Sequence, residues 1–69
     1  MTTEEIKALE KEAAKLKFTA GNKASELHDL VEDRLWADFE EIPAVAEAAY
    51  QACKAWKDKL DEVKAAALS

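Results

Sequence analysis

The chain has 69 residues and a formal net charge of −5, and 49% of its residues are hydrophobic. A single cysteine excludes an internal disulfide, and a single histidine excludes a histidine-rich metal site. No apolar run approaches the roughly 20 residues of a membrane span, and the N-terminus lacks the basic-then-apolar pattern of a signal peptide. With a free thiol and no export signal, we expect a cytoplasmic protein without membrane contact.

The first predicted element is a helix over residues 3–33. Thr3 followed by Glu4 and Glu5 is typical of a helix N-cap. Apolar residues then recur at helical spacing, with one additional four-residue step near Gly21 that we interpret as a stutter and not as a break. This first stripe consists of Ile6, Leu9, Ala13, Leu16, Ala20, Ala24, Leu27 and Val31.

Residues 34–42 are predicted to connect this helix to a second one. Asp38 and Glu41 have the spacing of a capping box, and Pro43 suits the first position of a helix, which predicts one tight turn at residues 38–41. Four apolar residues of the connector are expected to fold back as a lid over the end of the helices: Leu35, Trp36, Phe39 and Ile42.

The second helix is predicted over residues 43–67. Its apolar residues alternate steps of three and four positions without a gap, which gives the helix one apolar face. They are Ala46, Ala49, Cys53, Trp56, Leu60, Val63 and Ala67.

The chain is too short to bury a large core alone. A domain below roughly 70–80 residues seldom gains more than about 3–5 kcal/mol from a single core, and two striped helices in a hairpin leave one apolar flank bare. The sequence therefore predicts an all-α antiparallel hairpin, a single domain over residues 1–69, that forms a C2 homodimer and a four-helix bundle. The expected dimer core consists of Leu9, Leu16, Leu27, Ala49, Cys53, Trp56, Leu60 and Val63.

The negative charge is concentrated where the hairpin turns. Residues 26–47 hold eight acidic residues against Arg34, a net charge of −7, whereas residues 1–25 and 48–69 each carry +1. Acidic residues near the start of the second helix suit its dipole, but those near the end of the first helix do not. We interpret this acidic and aromatic tip as a partner-binding surface formed by Glu32, Asp33, Trp36, Asp38, Phe39, Glu40 and Glu41.

Three features leave another interpretation open. His28 and Glu32, one turn apart, are too few for a closed metal site, and a buried Cys53 is expected to be inert. An outer ridge formed by Lys7, Lys11, Lys15, Phe18 and Asn22 has the composition of a weak RNA-binding surface. Glu4 and Glu12 can neutralise two of these lysines, and the net negative charge makes nucleic acid an unfavourable partner.

Several segments carry a resemblance to a known family: Leu27-His28-Asp29-Leu30-Val31-Glu32-Asp33, Trp36, Ile42-Pro43-Ala44-Val45-Ala46 and Tyr50. They resemble the Rop-like family of small proteins encoded in nitrogen-fixation gene clusters, and the likeness extends from about Ile6 to Ala66. The resemblance implies a hairpin that dimerises into a four-helix bundle and is encoded beside nitrogenase maturation genes. It implies no catalytic residues, and the name Rop describes a shape that does not establish a function.

These observations predict a non-enzymatic accessory protein of the nitrogen-fixation system, without metal or other cofactor. Its expected partners are a second copy of itself and a nitrogenase-related protein that binds the acidic, aromatic tip. The alternative is a small metal- or RNA-binding regulator that uses His28 or the lysine ridge.

Overall fold

The computed structural model describes residues 2–68, which form two long helices and a short helical connection. Helix α1 covers Thr3–Asp33, helix α2 covers Leu35–Asp38, a 3-10 turn covers Phe39–Glu41, and helix α3 covers Ile42–Leu68. Helices α1 and α3 pack side by side along their lengths. The predicted all-α hairpin is confirmed, and no strand occurs within the described residues.

Helix α1 begins one residue earlier than its predicted cap implies. Thr2, and not Thr3, is the N-cap: its backbone is extended, and its Oγ1 accepts a hydrogen bond of 3.2 Å from the backbone N–H of Glu5. Thr3 is the first residue of the helix. Two adjacent threonines both match the capping preference, so the pattern leaves the start uncertain by one residue.

Gly21 does not interrupt helix α1. It has no positive φ angle, and a Cβ atom at this position would meet open space. A glycine here costs about 1 kcal/mol of helix propensity relative to alanine, an amount that the flanking turns tolerate. The continuous helix predicted across this position is confirmed.

The connector differs from the predicted single tight turn. Helix α1 ends at Arg34, whose backbone N–H bonds to the Leu30 carbonyl, and Asp38 N–H bonds to the Arg34 carbonyl at 2.8 Å. The predicted capping box is wrong, because the Asp38 side chain makes no cap hydrogen bond. Its carboxylate instead lies 3.6 Å from Arg34 Nη1, which occupies the acidic group in an ion pair.

The predicted lid is only half correct. Leu35 and Ile42 are half-buried at the end of the hairpin. Trp36 is 90% exposed and Phe39 is 54% exposed, so neither aromatic ring covers the helices. The short helix α2 sets the side chains on different sides of its axis, and a two-helix layer has no surface wide enough to receive both.

The hairpin is a thin, elongated layer of 51 × 14 × 12 Å. A helix with its side chains is about 10–12 Å across, so the layer is one helix thick and encloses no volume on either side. Among residues 2–68 the buried residues are four alanines and Leu30, the one large side chain that is fully buried: Ala13, Ala20, Leu30, Ala49 and Ala66.

Candidate functional site

The contact between α1 and α3 follows a regular pattern on both helices. The buried and half-buried residues alternate steps of three and four positions from one end of each helix to the other. This is the repeat of packed antiparallel helices. On α1 these facing positions are Ile6, Leu9, Ala13, Leu16, Ala20, Lys23, Leu27 and Leu30, and on α3 they are Ile42, Val45, Ala49, Ala52, Trp56, Lys59, Val63 and Ala66.

This pattern corrects the predicted stripe of helix α1. Lys23 and Leu30 occupy the facing positions, whereas Ala24 and Val31, which the sequence pattern favoured, are exposed. With Lys23 in register the repeat runs past Gly21 without the predicted stutter. The half-buried lysine was missed because an apolar pattern leaves charged residues out, although a lysine buries its methylene stem readily.

One side of the hairpin is apolar and uncovered. It is formed by the residue that directly follows every second facing position, and we call it the apolar side. Val31 is 45% exposed there, and Cys53, Ala24 and Ala67 are also exposed. Its apolar members are Ala24, Val31, Ala46, Cys53, Leu60 and Ala67.

Two charged residues, Glu10 and Lys17, continue the apolar side toward the open end, where α1 begins and α3 ends. Lys17 Nζ lies 5.9 Å from the centre of the Trp56 ring, within the range of a cation–π contact. This contact joins the two helices across the apolar side and draws the lysine over an aromatic surface.

The opposite side is charged, and we call it the acidic side. It is formed by the residues that directly precede the facing positions: Glu5, Glu12, Thr19, Glu26, Ala48, Ala55 and Glu62. Because a helix has 3.6 residues per turn, a residue before and a residue after a facing position lie on opposite flanks of the contact. The hairpin therefore has two unlike sides.

Lys59 joins the two helices on the acidic side. Its ammonium lies 3.1 Å from a Glu12 carboxylate oxygen and 2.9 Å from a Glu62 carboxylate oxygen. The hydrogen bond to Glu62 and then the one to Glu12 raise the pKa of Lys59 above its ordinary value of 10.5. The sequence reasoning missed this pair, and it expected Glu12 to neutralise Lys15 instead. A facing-position lysine with glutamates on both flanking helices was the available signal.

The hairpin tip, residues 34–41, is the other candidate surface. Trp36 and Phe39 are exposed there beside the unpaired carboxylates of Glu40 and Glu41, which make no ion pair within residues 2–68. Asp38 is half-buried and paired with Arg34. Glu32 and Asp33, at the end of α1, are exposed beside it.

The predicted dimer-core residues lie in three environments in the single hairpin. Ala49 is buried against α1, and Cys53 is exposed on the apolar side, so the expectation of a thiol buried between Ala49 and Trp56 does not hold within one chain. The remaining six are half-buried: Leu9, Leu16, Leu27, Trp56, Leu60 and Val63.

His28 contacts neighbouring carboxylates, as expected of a flank histidine. Its Nε2 lies 2.8 Å from Glu32 and its Nδ1 lies 3.6 Å from Asp29, all three side chains being exposed. No group of three or more potential ligands among residues 2–68 is placed to hold a metal ion.

The predicted lysine ridge lies on the outer surface of α1, and Phe18 in its centre is 72% exposed. Lys7, Lys11 and Lys15 are exposed and make no ion pair within the described residues. Over the same residues, no helix combines the length and the apolar character that crossing a membrane requires.

The comparisons with known proteins identify a family. A family model described as Rop-like matches residues 4–67, nearly the whole chain. No curated protein matches, and no solved structure matches.

Proposed function

The chain belongs to the Rop-like family, and we propose that it is a homodimeric, non-enzymatic accessory protein of the nitrogen-fixation system. In this proposal one surface binds a second copy and another binds a nitrogenase-related protein. Family membership suggests a small helical protein that acts through protein–protein contacts. The arrangement of the described side chains, with two unlike open surfaces and no assembled catalytic group, supports this class of function.

The thinness of the hairpin supports dimerisation. Leu9, Leu16, Trp56 and Leu60 are all only half-buried, although each stands in or beside the contact between the helices. Removing apolar area from water contributes about 25 cal/mol per Å², so covering these residues is the largest stabilisation still available to the chain. A second copy supplies a matching apolar surface by symmetry.

The contrast between the two sides indicates where the second copy binds. The acidic side would bring glutamates of two copies together, with unfavourable desolvation and like-charge repulsion. The apolar side offers Val31, Cys53 and Leu60 with little charge among them. We therefore assign the dimer interface to the apolar side, which turns all eight predicted dimer-core residues toward one shared interior.

The exposure of Trp36 is the observation that carries the partner-binding proposal. A tryptophan that is 90% exposed on a small protein is a large apolar surface held in water, and buried tryptophans are frequent anchors of protein interfaces. It lies inside the segment of net charge −7, residues 26–47. Such charge accelerates encounter with a basic surface, and the aromatic ring then provides affinity.

The link to nitrogen fixation rests on the resemblance of two segments to proteins encoded in nitrogen-fixation gene clusters. Residues 27–33 close helix α1, and residues 42–50 open helix α3, so both flank the tip. The residues that carry the resemblance therefore surround the proposed partner site. This proximity supports a partner shared by such proteins, which we propose to be a nitrogenase-related protein in the cytoplasm.

A capture experiment tests the partner and the surface together. Immobilised protein is incubated with extract of nitrogen-fixing cells, and captured proteins are identified by mass spectrometry. We expect a nitrogenase-related protein with the unmodified chain, strong loss with Trp36→Ala, and retention with Phe18→Ala, which removes an exposed aromatic ring outside the tip. Equal capture by Trp36→Ala would place the partner site elsewhere.

Association kinetics with the captured partner test the role of charge. Replacing Asp38, Glu40 and Glu41 by their amides should slow association and flatten its dependence on salt, because the steering field is reduced. Trp36→Ala should chiefly accelerate dissociation. Unchanged rates and unchanged salt dependence in the amide variant would show that the acidic tip serves solubility and not recognition.

A further inference from the structure

The distribution of charge along the hairpin indicates how two copies are oriented in the dimer. We infer that they pack antiparallel through the apolar side, with their acidic tips at opposite ends of the bundle. This inference rests on the proposed homodimer and adds its topology. Two C2 arrangements join the same sides: one places both tips at the same end, and the other places them at opposite ends.

The acidic segment disfavours the arrangement with both tips together. It would bring two segments of net charge −7 within one or two interaxial distances, roughly 10–20 Å. This separation is close to the Debye length of about 8 Å at physiological ionic strength, so salt screens the repulsion only in part. The arrangement with opposite tips separates the segments by nearly the 51 Å length of the hairpin, where screening is complete.

The remainder of the chain favours opposite tips as well. Outside residues 26–47, nine lysines stand against seven acidic residues, a net charge of +2. In the antiparallel arrangement each acidic tip lies beside this less acidic part of the other copy. In the alternative, the two open ends would also meet and bring like lysines together.

The positions of individual lysines sharpen this argument. Lys7 and Lys64 lie near the open end, each on the flank of its helix that adjoins the apolar side, and neither makes an ion pair within residues 2–68. With both tips at one end, these lysines would face their own copies across the dimer. With opposite tips they lie near the other copy's acidic segment, which supplies carboxylates at the same level of the bundle.

A distance measurement between spin labels tests the topology. The native thiol is removed with Cys53→Ser, and Glu40→Cys places one nitroxide at the exposed tip of each copy. Pulsed dipolar spectroscopy should give a distance close to the 51 Å length of the hairpin. The arrangement with tips together predicts about 20 Å or less, and that result would overturn the inference while leaving the dimer intact.

A matched label separates failure of the topology from failure of the dimer. Phe18→Cys in the same background labels the outer surface of α1 near its middle, where both arrangements predict roughly 30 Å or less. Absence of any dipolar distance at this position, with helical content retained by circular dichroism, would contradict the dimer and the inference with it. Ala37→Cys, also exposed at the tip, repeats the measurement if Glu40→Cys disturbs folding, and the same two distances decide.

Discussion

The two sides of the hairpin differ in a way that the contact between its helices does not require. Residues directly after the facing positions include Val31, Cys53 and Leu60, whereas residues directly before them include Glu5, Glu12 and Glu62. A solitary hairpin would gain nothing from keeping one side apolar, since both sides face water. The difference is what a chain shows when one of its two sides is covered by another molecule.

The largest expected effect is the introduction of a charge on the apolar side. Leu60→Asp should dissociate the dimer and unfold the chain, with a loss of about 3 kcal/mol or more, because a carboxylate would be buried without a partner. Phe18→Asp is the matched control on the outer surface, where the side chain is already 72% exposed, and it should leave the dimer folded. Circular dichroism melting and sedimentation measure both variants. Equal behaviour of the two would remove the distinction between the sides.

A subtler pair of substitutions compares two positions that a single hairpin treats alike. Cys53 lies on the apolar side and Ala55 on the acidic side, and both are exposed in the hairpin. Cys53→Glu should weaken dimerisation roughly 100-fold because it places a charge in the interface. Ala55→Glu should leave the dissociation constant within a few-fold of the unmodified value. Similar dissociation constants, measured by sedimentation equilibrium, would refute the assignment of the interface.

The smallest expected effect concerns the ion pairs on the acidic side. Since the folded state raises the pKa of Lys59 above 10.5, chiefly through Glu62, folding favours the protonated ammonium. This contribution is complete below pH 10.5 and is lost as the pH rises through the higher native value. In urea unfolding at alkaline pH, Lys59→Met should therefore lose less stability than the unmodified protein.

Lys54→Met is the control for this titration, because Lys54 is exposed and makes no ion pair within residues 2–68. It should follow the unmodified protein across the alkaline range. If Lys59→Met follows it too, the bridge from α1 to α3 on the acidic side contributes nothing measurable to folding.

The fold could be predicted from the sequence because both apolar stripes have helical spacing over nearly their full lengths. The direction of the stripes was less certain. The predicted stripes favoured Ala24, Val31 and Cys53, which adjoin the facing positions and are exposed in the hairpin. An apolar pattern records every surface that a helix buries. If a second copy covers the apolar side, the stripe points between the neighbouring helix and that copy, as these residues do.

The polar part of the helix contact could not be read from the same pattern. Lys23 and Lys59 occupy facing positions, yet a search for apolar periodicity passes over them. Their charged ends reach carboxylates at the edge of the contact while their stems pack, as the Lys23–Glu26 distance of 3.7 Å illustrates. The tip was predicted in composition but not in geometry, because a four-residue helix has too few residues to show a period.

Sedimentation equilibrium of the unmodified chain over a range of concentrations tests the central claim most directly. The account predicts a molecule of twice the chain mass of 7.7 kDa at micromolar concentration, with a melting temperature that rises with concentration. A fully helical monomer of 7.7 kDa under these conditions, melting at one temperature regardless of concentration, would contradict it.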